Sequence, residues 1–469
     1  MLQDEQKTIR DTQLLTALPD SPATTHILGF GLAAGRGERF RPLTLKAKGY
    51  LRAKAAVRFL GQRVLDWLVH ILRRQGIDDF IMITKGKENR YQIKNILGYG
   101  ESLGVRVRYS PVRFDHDNTG SADAVLTNLE YFDVTDTVFI FPTDSVLDID
   151  LPGMLAAHQR TGAVVTIATA YQPAEVIAGR YGLIDCADDG RVRGFIEKPS
   201  LEKIYALFSA KGKNSTQLPD LPTNAGFYLI DARAVREICR HEDIEKMRQR
   251  QLDIGGDLLP WLVLHGAPVQ TYQIDRMGDL GNIPSYLGTM TDALHGRFAS
   301  LNSLLEQLYH DHTGAYIEAE SLAMTDPISK LTLAEKIVQG LVTIRPPVRI
   351  GRYVLIYPGV TLSACNIDDD CEIYEDATLV RSSIGAGSIV GPYARVEDTL
   401  TGIMVELLST RERPITLKRY VAIGDEVIVR DGVTMTDYIT IHPRLKVPSG
   451  VRIPPHTDVE SAEHILDCL

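Results

Sequence analysis

The feature that most constrains this chain is a beat of six residues through its last third. From Val421, aliphatic residues recur at 421, 427, 433, 439, 445 and 451, as Val, Val, Val, Ile, Leu and Val. A second set, at 423, 429, 435, 441, 447 and 453, reads Ile, Val, Met, Ile, Val and Ile. Upstream, Ile350-Gly351, Ile356, Leu362, Ile373, Leu379, Ile384-Gly385, Val390-Gly391 and Val396 keep nearly the same beat, slipping near Asn366 and near Ser383. A six-residue repeat with small residues after the aliphatic one marks a parallel β-helix: each hexad forms one face of a prism, and the aliphatic side chains stack inward. The prism is expected over 346–457, opened by Pro346-Pro347, with 458–469 as a tail. Residues 397–420 break the beat and are expected to loop out or to contact another subunit.

The front of the chain has a different grammar. From His26 to about Leu294 strands and helices alternate, so 26–294 is expected to be an α/β domain with a Rossmann-like, mainly parallel sheet. Phe80–Ile83, Val138–Phe141 and Val164–Ala168 read as strands. Val64–Arg74 reads as a helix, with Leu65, Leu68, Val69 and Leu72 on one face. Residues 295–345 read as a helical connector, with a packing helix near Phe298–Leu308. Residues 1–25 are polar and of mixed charge, which gives a flexible arm rather than a signal peptide. No apolar run is long enough to span a bilayer. The net charge of −9 excludes a general nucleic-acid binder but leaves room for a local basic pocket. Five scattered cysteines (Cys186, Cys239, Cys365, Cys371 and Cys468) suggest neither a disulfide framework nor a zinc site, and fit a reducing, cytoplasmic setting.

Chemistry concentrates around Leu32-Ala33-Ala34-Gly35-Arg36-Gly37-Glu38-Arg39, which follows the apolar run His26–Leu32. Glycines just after a strand let backbone N–H groups approach a polyanion, and Arg39 adds a positive fork for phosphate oxygens. The spacing is neither a dinucleotide fingerprint nor a Walker loop. Asp144, after the strand Val138–Phe141, and Asp279, in Met277-Gly278-Asp279, are the acidic candidates. Two such carboxylates, with phosphate oxygens, suffice for a hard cation such as Mg²⁺. Lys54 and Lys198 are the basic candidates.

The ordered set of motifs over 26–294 resembles the sugar-1-phosphate nucleotidylyltransferases, or nucleotide-sugar pyrophosphorylases. It comprises Leu32–Thr44, Lys54 with Ala55-Ala56-Val57-Arg58-Phe59-Leu60-Gly61, Gly120-Ser121-Ala122-Asp123-Ala124-Val125, Thr143-Asp144, Tyr181-Gly182, Glu197-Lys198-Pro199, Asn224-Ala225-Gly226 and Asp279. The Arg-Ala-Lys and Gly-Ser-Ala-Asp-Ala-Val versions are most similar to the ADP-glucose pyrophosphorylase branch. The repeat resembles the left-handed hexapeptide domain appended to several such enzymes. By this resemblance Leu32, Ala33, Ala34, Gly35, Arg36, Gly37, Gly120 and Ser121 hold the nucleotide, while Arg39 and Lys54 contact the triphosphate. Asp144 and Asp279 hold Mg²⁺, and Lys198 grips the sugar phosphate in a pocket lined by Gly182, Glu197 and Asn224. The implied reaction joins a nucleoside triphosphate to a sugar-1-phosphate, or to a sugar-like cyclitol phosphate, and releases pyrophosphate. The implied assembly is a homo-oligomer.

Four departures stand out. Glu38 replaces the usual Thr or Ser, Arg58 replaces a frequent proline, Met277 a frequent tryptophan, and no base-reading glutamine appears in Pro111–Thr119. Lys48 fits the lysine motif by its distance from Arg39, and Lys54 by its distance to Gly61 and its neighbours; Lys54 is the preferred reading. Two further readings compete with an NDP-sugar synthase. One is a non-catalytic regulatory or scaffold subunit, which Glu38 and Thr143 favour. The other adds acyl transfer by the β-helix, whose beat contains His442.

Overall fold

The computed structural model describes residues 26–466 apart from 36, 48–49, 211–217, 309 and 313. The arm expected over 1–25, Arg36, Lys48 and Cys468 therefore lie outside the described residues. The chain divides into two compact units. The first takes the residues up to Ala34, Val69–Thr143 and Asp148–Met277; the second takes Gly35–Leu68, Asp144–Leu147 and all from Gly278 on.

The first unit is built on a nine-stranded sheet. Its strands are β1 (Ile27–Ala33), β2 (Asp79–Thr84), β3 (Arg106–Tyr109), β4 (Thr137–Pro142), β5 (Val165–Gln172), β6 (Leu183–Cys186), β7 (Val192–Ile196), β8 (Leu221–Asp231) and β9 (Val269–Gln273). The order is β7-β6-β8-β4-β1-β2-β3, and β5 pairs with both β8 and β9. Strands β3, β2, β1 and β4 run parallel, whereas β8 joins β4 antiparallel. Strands covered on both faces read as continuous apolar runs, and Phe30, Ile81 and Phe139 are accordingly buried. The glycines inside β1 are there for space: a Cβ on Gly31 would lie 2.5 Å from Met82 Cε, and one on Gly29 2.6 Å from Phe80 Cδ1.

This topology fixes where chemistry can occur. Leu32 of β1 is in register with Pro142 of β4. The glycine stretch and the Thr143-Asp144 turn therefore leave the sheet at the carboxyl ends of adjacent parallel strands, where open α/β sheets bind ligands. Thr143 ties the two ends together, donating to the Leu32 carbonyl from its amide at 3.3 Å and its hydroxyl at 3.2 Å.

In the second unit the six-residue beat becomes three stacks of short parallel strands. One runs from Ala315–Ile317 through Arg349–Ile350 and Val421–Ile423 to Asp458–Val459; another from Thr343–Arg345 to Arg452–Ile453; the third from Leu355–Ile356 to Lys446–Val447. Parallel stacks of this kind fit a left-handed β-helix. Val421, Val427, Val433, Ile439 and Val451 are buried, as are Ile423, Val429, Met435, Ile441, Val447 and Ile453; Cys365 and Cys371 join them in the core. The stack begins before Pro346-Pro347, because Ala315–Ile317 already pairs with Arg349–Ile350.

The slips in the beat have a physical cause. Arg349, Asn366 and Ser383 follow one another at 17 residues per coil, whereas Thr440 and Asp458 are 18 apart. The shorter coils also carry a buried polar ladder: Arg349 donates to Asn366 Oδ1 and to Asp368 Oδ1, each at 2.8 Å, and Asn366 donates to the Ser383 hydroxyl at 2.9 Å. The expected loop over 397–420 is smaller than the sequence suggests. Thr399–Thr401, Glu406–Leu408 and Thr416–Lys418 all stay in the stacks, and only the turn around the exposed residues 411–414 leaves them. Among the described residues no helix is long and apolar enough to cross a membrane.

Candidate active site

In the second unit, Gly37 takes φ 68° and starts a short turn over Glu38–Phe40. The left-handed backbone there suits glycine. Space demands it too, since a Cβ would meet Thr44 Cγ2 at 2.7 Å and Lys54 Cγ at 3.1 Å. Thr44 is buried and its hydroxyl closes the turn by donating to the Gly37 carbonyl at 2.7 Å. Glu38 and Arg39 are both exposed, so Glu38 does not place its charge inside the turn. Phe40 anchors the turn by stacking on Tyr286 at 5.6 Å.

Lys54 opens the turn Lys54–Ala56, and its stem lies against the glycine loop. Its ammonium donates to Asp144 Oδ2 at 2.6 Å. The structure thus joins three sequence-expected elements (Gly37, Lys54 and Asp144) in one contact chain. Asp279 ends the strand Arg276–Asp279, which pairs with Ser145–Asp148, the strand that begins directly after Asp144. Gly278 sits against Val146, where a Cβ would come within 2.7 Å of Cγ2. Asp279 Oδ1 accepts from the Gly281 amide at 2.7 Å, which fixes the carboxylate on its turn. Asp144 thus precedes one strand of this pair and Asp279 ends the other. Asp144 already balances one cation, Lys54.

The first unit assembles a second polar cluster. Gly120 caps the helix Ser121–Tyr131; a Cβ there would strike the Leu252 carbonyl oxygen at 2.4 Å. The Ser121 amide and hydroxyl donate to Asp253 Oδ1 at 2.9 and 3.1 Å. Burial works against the Asp253 charge. The Ser121 bonds, the Gln251 side chain and the nearby Lys198 ammonium outweigh it and hold the carboxyl below its usual range. Glu197 lies between two glycines: a Cβ on Gly182 would come within 2.9 Å of its Oε2, and one on Gly255 within 2.8 Å. Glu197 Oε1 pairs with Lys198 at 3.2 Å, while Oε2 is buried with no hydrogen-bond partner among the described residues. Lys198 adopts φ 43°, unusual for a side-chain-bearing residue, and its ammonium stays exposed. Asn224 donates to the Tyr228 hydroxyl at 2.8 Å, and its Oδ1 accepts from the Gly226 amide at 2.9 Å. Its own amide donates to the Gly182 carbonyl at 2.8 Å. Burial pushes the Tyr228 hydroxyl above its ordinary value, so it remains a neutral partner.

Within this unit Gly182, Glu197, Lys198 and Asn224 are therefore brought together, and Gly120 with Ser121 joins them through Asp253. Leu32, Ala33 and Ala34 sit at the end of β1. Sequence reasoning missed Asp253, Gly255 and Tyr228. The run Asp253-Ile254-Gly255-Gly256-Asp257 looks like an ordinary turn; it is a single wide helical turn over Ile254–Leu258 that turns Gly255 toward Glu197.

Residues 29–296 match the model of the nucleotidyl transferase family. The chain belongs to that family, whose members typically work with a divalent metal. Among curated relatives, a UTP–glucose-1-phosphate uridylyltransferase of Synechocystis sp. is 27% identical over 380 residues, covering 79% of this chain and 85% of the relative. A glucose-1-phosphate adenylyltransferase of Alteromonas mediterranea is 30% identical over 275 residues, 54% of this chain and 59% of the relative. One of Mycobacteroides abscessus is 30% identical over 260 residues, covering 52% and 58%. The chain thus spans under two thirds of these adenylyltransferases.

Proposed function

We propose that the protein transfers a nucleotidyl group from a nucleoside triphosphate to a sugar-1-phosphate, or to a related cyclitol phosphate, releasing pyrophosphate. The observation that carries this reading is Glu197. A buried carboxylate oxygen with no partner costs free energy unless a ligand completes it, and a sugar hydroxyl is a fitting donor. Lys198 beside it supplies the cation for the sugar's phosphate. On the nucleotide side Gly35, Gly37, Arg39 and Lys54 receive the triphosphate, with Arg36 and Lys48 outside the described residues. Asp144 and Asp279 would hold Mg²⁺, which when bound would supply charge neutralisation at the phosphates. The residues of the chain would contribute by position and charge, Lys198 toward the sugar's phosphate and Arg39 with Lys54 toward the triphosphate.

The exposed position of Glu38 removes a main support of the scaffold reading. The reading is of a cytoplasmic homo-oligomer. Pyrophosphate release from five nucleoside triphosphates, each with a panel of sugar-1-phosphates and Mg²⁺, tests the function. One pair is expected to turn over, and Lys198→Ala is expected to raise the KM for the sugar phosphate about a hundredfold while leaving that for the nucleotide within about threefold. Absence of release from every pair, despite ligand binding, would return the scaffold reading to first place.

A further inference from the structure

The segment that carries Lys54 is fastened to carboxylates of the β-helix. Arg52, two residues before Lys54, donates from Nη1 to Asp425 Oδ1 at 3.3 Å and pairs closely from Nη2 with Oδ2. The partners are 373 residues apart in sequence, both lie in the second unit, and their side chains are only 12% and 5% exposed. Arg52 also reaches the glycine loop: Nη1 donates to the Leu43 carbonyl at 3.1 Å, and its amide donates to the Thr44 carbonyl at 2.7 Å. Thr44 in turn holds Gly37. A chain of hydrogen bonds thus runs from the β-helix to the Gly37 turn, and Arg52 lies two residues before Lys54 in the backbone.

Asp425 is itself held still. Its Oδ1 accepts from the Ile403 amide at 3.0 Å, and it packs over Gly402, where a Cβ would lie 2.3 Å from that oxygen. Four residues beyond Lys54, Arg58 faces Asp368 at 3.6 Å, and its carbonyl accepts from the Tyr286 hydroxyl at 2.8 Å. Lys54 therefore sits between two arginines that meet carboxylates of the same stack. A bidentate, largely desolvated arginine–carboxylate pair fixes direction as well as distance.

We propose that Asp425 is a positioning residue for the nucleotide: acting through Arg52, it sets where the Lys54 ammonium and the Gly37 turn meet the triphosphate. The β-helix is then a working part of the transferase centre. This inference rests on the function proposed above. Misplacing a catalytic group by about 1 Å can cost about 10² in rate.

The test is steady-state kinetics of full-length Asp425→Asn and Arg52→Gln with the best substrate pair of the wild-type enzyme. Each variant is expected to lose about a hundredfold in kcat/KM for the nucleoside triphosphate, with the KM for the sugar phosphate within about twofold. The double variant is expected to be no worse than either single one, because both break one link. Asp437→Asn, which opens the exposed 2.6 Å Arg419–Asp437 pair of a neighbouring coil, serves as the comparison for β-helix stability. Stabilisation of each protein against heat by Mg²⁺–triphosphate gives a second readout, expected to shrink in Asp425→Asn and to persist in Asp437→Asn. Unchanged nucleotide kinetics in folded Asp425→Asn, or equal losses for both substrates, would overturn the proposal; should that variant not fold, Arg52→Gln decides by the same criteria. Absence of turnover in the wild type would instead overturn the functional reading, and the thermal readout would then judge Asp425 alone.

Discussion

Asp144→Asn is expected to lower kcat by about 10³-fold or more while changing the affinity for free nucleotide by less than about tenfold. The substitution keeps the shape of the side chain and removes its charge. Two things depend on that charge. The Lys54 ammonium is held at 2.6 Å by Asp144 Oδ2, and on the function proposed above Asp144 would also supply an anionic oxygen to a divalent cation. Charge on the phosphates shifts most as the bond to pyrophosphate breaks, so the loss falls on the transition state rather than on ground-state binding. A Mg²⁺ titration separates the two roles. Loss of the metal ligand moves the half-saturating Mg²⁺ concentration upward, and excess metal restores part of the rate. Loss of Lys54 orientation alone leaves the metal dependence where it was. Small, equal changes in kcat and KM would show that neither role belongs to Asp144.

Much of this was legible in the sequence because the fold writes its periods plainly. A β-helix repeats one environment per face, so Val421, Val427 and Val433 announce themselves by spacing alone, and all are buried. The helix Val64–Arg74 likewise follows from the positions of Leu65, Leu68, Val69 and Leu72. What stayed hidden was of two kinds. Coils of 17 residues rather than 18 shift the beat, and the buried ladder that Asn366 and Ser383 share with Arg349 there shows no pattern in the sequence. Partners distant in sequence, such as Arg52 with Asp425 and Ser121 with Asp253, leave no local pattern at all. Asp253 and Gly255 were unreadable for that reason: their meaning lies in Ser121 and Glu197, not in their neighbours.

The largest expected effect on stability lies at the start of the β-helix. Lys336, in the helix Leu333–Val338, donates to Asp326 Oδ2 at 2.8 Å and closely to the Ile356 carbonyl, and both ends of the ion pair are fully buried. Asp326 also accepts from the amides of Ile328 at 2.9 Å and Ser329 at 2.7 Å. The pair therefore pins the excursion between Ala315–Ile317 and Thr343–Arg345 onto the coil that contains Ile356. Removing one partner of a buried pair strands the other charge in low dielectric, so Lys336→Met is expected to cost about 3–5 kcal/mol in the denaturant transition that reports the β-helix. Adding Asp326→Asn to that variant removes the stranded charge yet keeps an acceptor for the two amides, and most of the loss is expected to return. A single-variant cost below about 1 kcal/mol would mean that solvent or a rearranged side chain already compensates the carboxylate. The contrast with Asp425 is then informative. Lys336→Met is expected to move the unfolding midpoint and leave the nucleotide KM of the folded enzyme alone, whereas Asp425→Asn moves the kinetics first, which separates residues that hold the prism together from one that lends it to the reaction.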